Sequence, residues 1–177
     1  MLPKNYAYLG REPGPKMLVE ALKLYGTLEK PGDSDNPVIL DWAKETGQAT
    51  YKADATPWCG LFMAVVAKRA GKPPCPLNPL WALNWALWGV AADKPMLGDV
   101  LSFTRKTATG IAGHVGLYVG EDATAFHVLG GNQGDAVSIT RVLKSRLKAA
   151  RRSYKIQPAN VRTIRLSSGG KLSTNEA

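Results

Sequence analysis

The chain has 177 residues, 45% of them apolar, which suits one globular domain with its own core. No apolar run approaches the roughly eighteen residues of a membrane span, and the opening "MLPKNYAYLGREPGP" has no apolar stretch typical of a secretory signal. Lys and Arg total 23 against 14 Asp and Glu, a net charge of +9 that attracts anionic polymers without choosing between nucleic acid, lipid headgroups and envelope polyanions. The two cysteines, Cys59 and Cys75, form no CxxC and have no histidine pair nearby, so a zinc site is not expected. Synthesis in a cytoplasm argues against a disulfide between them.

In chain order, "PKMLVEALKLY" (15–25) carries Leu18, Ala21, Leu22 and Tyr25 at helical spacing, with Pro15 in the first turn. A loop, "TLEKPGDSDNP", leads to a second helix, "PVILDWAKETG", with Asn36 as N-cap, Pro37 at the first helical position and Gly47 at its end. A third helix is predicted over about 56–70, capped by Thr56, with Pro57 at its first position and Gly71 beyond its end. A fourth, "LWALNWALWG", stops at Gly89. Beyond residue 95 the pattern changes to short β-branched and aromatic runs: "DVLSFTR", "HVGLYVG", "TAFHVLGG" and "AVSITRVL", with "NVRTIRL" as a fifth. Helices first and strands second predict an α+β fold. A single domain is expected over 1–166, followed by a flexible polar tail over 167–177.

Chemistry concentrates around "TPWCGLF". With Thr56 as N-cap, Cys59 falls at the third helical position, where unpaired N–H groups and the helix dipole favour a thiolate. Trp58 would wall such a site, and Gly60 would leave room for a substrate. The plain alternative is a small apolar residue in a buried helix. A cysteine nucleophile needs a base, and the chain has two histidines. In "GHVGLYVG", alternation puts Val115, Leu117 and Val119 on the core face and His114, Gly116 and Tyr118 on the other. His114 is therefore the expected base, and His127, in "TAFHVLGGN", a packing or surface residue. Asn132 in "GGNQ" is the expected orienter of the His114 ring, unless that segment is simply a turn.

Together these residues resemble the CHAP and NlpC-type cell-wall amidases and peptidases, and above all the single-domain version found among bacteriophage endolysins. The segments "TPWCGLF", "LGDVLSF", "GHVGLYVGE" and "VLGGNQGDAVSI" stand in the family's order, and the likeness spans roughly residues 15 to 150. It implies a papain-like fold, with N-terminal helices on a small antiparallel sheet of about four to six strands and the nucleophile at a helix start. It also implies Cys59 as nucleophile, His114 as base and Asn132 as orienter, with Trp58, Gly60, Tyr118, Gly131 and Gln133 around the substrate. One departure is that many CHAP members carry Glu two positions before the Asn, where this chain has Gly130. Some relatives bind calcium before the cysteine; "TYKADATPWC" offers only Asp54, so no metal and no cofactor is expected.

The implied activity is hydrolysis of a peptidoglycan amide, in the stem peptide or at the muramoyl–alanine link, through a thioester. The enzyme would be made in a host cytoplasm and act in the periplasm or cell wall, as a monomer that inserts in no membrane. A bacterial effector or wall-remodelling hydrolase with the same chemistry is the alternative. A nucleic-acid-binding protein fits less well, since the aromatic residues sit mainly outside the basic run and no base-reading helix stands out. Trp81, Trp85 and Trp88 share one face of a helix and are either core or groove lining. The basic run Lys144, Arg146, Lys148, Arg151, Arg152 and Lys155 either holds anionic envelope polymers or is a solvated face. Asp99, after Gly98, is expected to shape a turn.

Overall fold

The computed structural model describes residues 1–32, 34–107, 110–154, 156–168 and 172–173, and of these the side chains of 106 and 107 are left aside. Its elements are α1 (Lys16–Lys23), α2 (Pro37–Thr46), α3 (Cys59–Arg69), β1 (Val90–Ala91), β2 (Val100–Thr107), β3 (Gly110–Glu121), β4 (Ala125–Gly130), β5 (Ser138–Leu143) and β6 (Leu147–Arg152). Three 3-10 segments, Lys4–Arg11, Ala82–Leu87 and Lys144–Arg146, complete the list. The architecture is α+β: helices on one six-stranded antiparallel sheet of order β1-β6-β2-β3-β4-β5.

Local chemistry sets the helix ends. The Asn36 side chain accepts from Val38 N–H, Pro37 fills a position whose N–H has no partner inside the helix, and Gly47 closes α2 in the left-handed region at φ 73°. The third helix starts later than the sequence suggests. Thr56 is not its cap; the Thr56 carbonyl accepts from Tyr51 Oη, Trp58 occupies the cap position, and Cys59 is the first helical residue rather than the third.

That helix is the centre of the molecule. Leu61, Phe62, Met63, Val65 and Val66 are fully buried, and each large apolar side chain so placed stabilises the fold by about 1.5–3 kcal/mol. It packs on α1, α2, β3 and β4. Trp42 of α2 lies tilted against Trp58 and Phe62, with ring centroids 6.0 and 6.2 Å away.

The sheet buries both faces. Val115, Leu117, Val119 and Leu129 join the helices in the main core. Leu101, Phe103, Tyr118, Phe126, Val128 and Val142 form a second cluster on the opposite face. Alternation along β3 is thus as the sequence predicts, but the face that carries His114 is closed by apolar neighbours instead of open to water.

Several expectations change. "LWALNWALWG" folds as a 3-10 segment, so the three tryptophans share no face: Trp85 and Trp88 are buried with rings 5.8 Å apart, whereas Trp81 is 68% exposed. "NVRTIRL" contributes a single parallel bridge, Arg165 to Glu121, and not a strand. The sixth strand comes instead from the basic run. Within that run, Lys144 pairs with Glu121, Arg146 donates to Thr104 O, Arg151 to Ala86 O, and Arg152 to the buried Asp99 carboxylate at 2.6 Å. Those contacts give the run a structural role; its last member, Lys155, lies outside the described residues. Asp99 also accepts from Met96 N–H, closing the turn expected of it. Of the tail, Leu172 bridges to Arg141 and Ser173 N–H donates to Arg141 O at 2.9 Å, so this part docks on β5, while 169–171 and 174–177 are outside the described residues.

Among the described residues no helix is long and apolar enough to cross a membrane.

Candidate active site

Cys59 opens α3, and the side chains that flank it, Trp58 and Phe62, pack against Gly131. Gly131, just after β4, lies so close to Phe62 and Trp58 that a Cβ there would fall 2.6 Å from Phe62 Cβ and 2.8 Å from the Trp58 ring. Its neighbour Gly130 has the His114 ring at 3.3 Å from the same hypothetical atom. The glycine pair therefore adjoins the start of α3 through Gly131 and the His114–Gln133 pair through Gly130. At Gly131 only a residue without a side chain permits that approach.

His114 is 1% exposed. It is paired across the sheet with Phe103, and the two rings stack with centroids 6.4 Å apart. Its Nε2 lies 2.9 Å from Gln133 Oε1. The Gln133 amide is itself pinned, because its Nε2 donates to Val128 O at 3.1 Å and to Ser138 O at 2.6 Å. Turning that amide over would set its oxygen against two carbonyl oxygens. Oε1 must face the imidazole, so His114 Nε2 carries a proton as donor and Nδ1 is the basic nitrogen of the neutral ring.

Gln133, and not Asn132, thus holds the ring. The reason is a break in strand parity. Asn132 adopts φ 55°, a left-handed conformation that Asn tolerates and that turns the chain back on itself. The following Gln133 N–H bonds to Ala136 O, and its side chain returns beneath β4. The sequence signal was present in "GGNQG", whose glycines and Asn mark a reversal, but analogy with the papain-like Asn placed the orienting role one residue too early.

Other expected site residues separate from the centre. Tyr118 is fully buried in the second cluster, with its hydroxyl between Glu121 and the Ile164 carbonyl and its pKa raised by burial. It touches no opening. Gly60 makes room for protein rather than substrate, since a Cβ there would overlap the carbonyls of Pro79 and Leu80. Trp58 is a buried wall whose indole N–H donates to Glu29 at 2.9 Å. The Asp54 carboxylate is spent on backbone, accepting from the N–H groups of Lys30 and Asn36 at 3.0 and 2.7 Å.

His127 belongs to a different assembly. Buried at 2% exposure, it meets Asp122 at 3.0 Å through Nε2 and the Tyr6 hydroxyl at 2.7 Å through Nδ1. Arg141 donates to the same Asp122 oxygen at 2.7 Å. The guanidinium holds the Asp122 carboxyl far below the usual carboxylate range, and burial lowers the His127 pKa, so the ring stays neutral with Nε2–H donated to Asp122. This cluster ties the N-terminal 3-10 segment to β4 and lies apart from Cys59 in the chain and in contact.

A cleft of about 540 Å³ opens beside the paired elements. Thr56 and Pro57, just before Cys59, form one wall, and Gly113, just before His114, forms part of the other. Of the remaining lining residues, Trp81 was offered by the sequence as core or groove lining, whereas Leu83, Arg105 and Ile111 were missed because they come from a 3-10 segment and a hairpin with no motif.

No family model matches the chain, and no curated protein matches it.

The Gln133 geometry makes a prediction. Gln133→Leu is expected to lower any His114-dependent turnover by roughly 100-fold, the scale of one positioned acid–base group. Asn132→Ala should stay within about threefold of the parent, since its side chain is not the ring's partner. Gln133→Glu should keep the ring in place, stabilise the imidazolium and move the pH limb of the rate profile upward. A profile unmoved in Gln133→Glu, together with a large loss in Asn132→Ala, would return the orienting role to Asn132.

Proposed function

We propose that this chain is a cysteine peptidoglycan hydrolase of the CHAP/NlpC kind with a papain-like arrangement, Cys59–His114–Gln133. The observation that carries the reading is the fixed His114 tautomer, whose Nε2 is held by the pinned Gln133 amide and whose Nδ1 is left as the basic nitrogen, in a chain whose central helix begins at a cysteine. A structural histidine needs no pinned amide on its far nitrogen.

In this reading His114 Nδ1 takes the Cys59 proton, and the start of α3 stabilises the resulting thiolate. The sulfur attacks an amide carbonyl of the stem peptide or of the muramoyl–alanine link. Backbone N–H groups of the first turn, that of Cys59 first among them, receive the oxyanion. The imidazolium then gives its proton to the leaving amine, and the neutral ring draws a proton from water as it attacks the thioester. Gln133 keeps Nε2–H occupied throughout, so only Nδ1 exchanges protons. The motif order around "TPWCGLF", "GHVGLYVGE" and "VLGGNQ" supports wall peptide as the substrate, and a phage endolysin is the role the resemblance favours.

Alkylation tests the nucleophile. Iodoacetamide is expected to add one group to Cys59 and to abolish digestion of purified peptidoglycan in proportion. Cys75, whose thiol pKa is raised by burial, should remain unmodified. Full digestion by protein alkylated at Cys59 would contradict the reading.

A further inference from the structure

The cleft beside Cys59 carries a feature that the proton-transfer chemistry does not use. Arg105 reaches it from β2, where pairing with Ala112 of β3 fixes its backbone. The side chain is only partly exposed, yet among the described residues it makes no hydrogen bond and no ion pair. Among the described residues no acidic side chain lines the cleft. The other arginines named above as internal contacts, Arg141, Arg146, Arg151 and Arg152, all meet carboxylates or carbonyls of the protein. Arg105 alone among them faces the cleft.

Two large apolar side chains stand at the same opening. Trp81 and Ile111 are each 68% exposed and line the cleft with Pro57 and Gly113. The folded chain leaves both of them uncovered, at the mouth of a site that adjoins both proposed catalytic elements. A guanidinium prefers a planar, bidentate anion, and a carboxylate matches its fork. Tryptophan and isoleucine beside it suit the carbon skeleton that bears such a group.

We propose that this cleft is a carboxylate subsite, in which Arg105 binds the free carboxylate of an acidic stem-peptide residue near the scissile amide and Trp81 and Ile111 cover the adjoining carbons. This rests on the reading of the chain as a wall hydrolase and narrows its substrate to stems whose acidic residue is unblocked. Amidation of that residue, which removes the charge and one acceptor oxygen, weakens recognition.

Binding separates this inference from the catalytic one. Cys59→Ala protein is titrated calorimetrically with two synthetic stem peptides, identical except that the acidic residue carries a free α-carboxylate in one and a carboxamide in the other. The free acid is expected to bind roughly tenfold or more tighter, the scale of a charge-assisted hydrogen bond. Adding Arg105→Met should bring both peptides to the weaker level, and Arg105→Lys should keep part of the difference. The thermal midpoint of each variant should match the parent, since Arg105 holds nothing else in place. Equal binding of the two peptides, a preference that survives Arg105→Met, or no binding of either peptide would overturn the subsite. Wild-type protein mixed with the same peptides reads the other claim: an acid preference in binding without hydrolysis refutes the hydrolase alone, and hydrolysis without the preference refutes the subsite alone.

Discussion

Cys59→Ala is expected to lower peptidoglycan turnover by at least ~10⁴-fold, the loss that follows removal of a nucleophile acting in concert with its base. The protein should remain folded. Cys59 is 3% exposed within the main core, and trimming one sulfur from a helix start leaves the Leu61, Phe62 and Val66 contacts in place, so the stability cost should be about 1 kcal/mol. Cys59→Ser tests the same point differently. It keeps a polar atom at the position but replaces the thiolate with a hydroxyl that a histidine activates far less readily, and it should be nearly as inactive. Rates measured on dye-labelled peptidoglycan, with thermal midpoints for both variants, check the expectation. Turnover within about tenfold of wild type in Cys59→Ala would remove Cys59 from the chemistry.

Asp122→Ala is expected to have the largest effect on stability, a loss of about 3–5 kcal/mol, the range found when one partner of a buried ion pair is removed. Asp122 is 4% exposed and serves five groups: Arg141 and His127 through Oδ2, and Thr124 N–H, Thr124 Oγ1–H and Ala125 N–H through Oδ1. Without it a buried guanidinium loses its counter-ion, and the clasp from Tyr6 through His127 opens. Such a loss is a large share of a stability of about 5–15 kcal/mol. Urea unfolding at neutral pH measures it, and a change below about 1 kcal/mol would contradict the assigned role.

The sign of the pH dependence follows from the same cluster. The Asp122 pKa is depressed in the folded state, chiefly by Arg141, and the His127 pKa is depressed by burial. A depressed carboxylate contributes stability above its unfolded value of about 3.9 and loses it as pH falls. A depressed imidazole likewise contributes above about 6.5, and the contribution fades as pH falls below that. Both slopes run the same way, so wild-type stability should decline on acidification, beginning with the His127 contribution.

Much of this architecture was legible in residue pattern, and the parts that were not have identifiable causes. The caps of α2 follow from Asn36, Pro37 and Gly47 because each satisfies or avoids a backbone group locally. Strands β2 to β5 follow from short β-branched and aromatic runs punctuated by Gly and Asp. By contrast, β6 is "LKAARR", a sequence with little strand propensity, held in the sheet by pairing with β1 and β2 and by the Arg152–Asp99 bridge. The start of α3 was set too early because Thr-Pro mimics a cap, while the Tyr51 hydroxyl engages the Thr56 carbonyl and the chain enters the helix three residues later.

The candidate site divides in the same way. Cys59 and His114 were singled out from helix-start chemistry and strand parity, together with the motif order. Gln133 was placed among substrate contacts by the resemblance, and the reversal at Asn132, a φ of 55°, which brings its side chain to His114, is not legible in the residue pattern. Trp81 was offered as groove lining but Arg105 was not, because their proximity is a product of the β2–β3 hairpin folding against the 3-10 segment Ala82–Leu87, and no local pattern encodes it.

Mass spectrometry of fragments from purified mesodiaminopimelate-type peptidoglycan tests the central claim most directly. Digestion by the wild type should release fragments with new amino termini that Cys59→Ala does not produce, and their masses will name the amide that is cut. New reducing sugar ends in place of new amino termini, or the same fragments from both proteins, would contradict a Cys59–His114–Gln133 amidohydrolase.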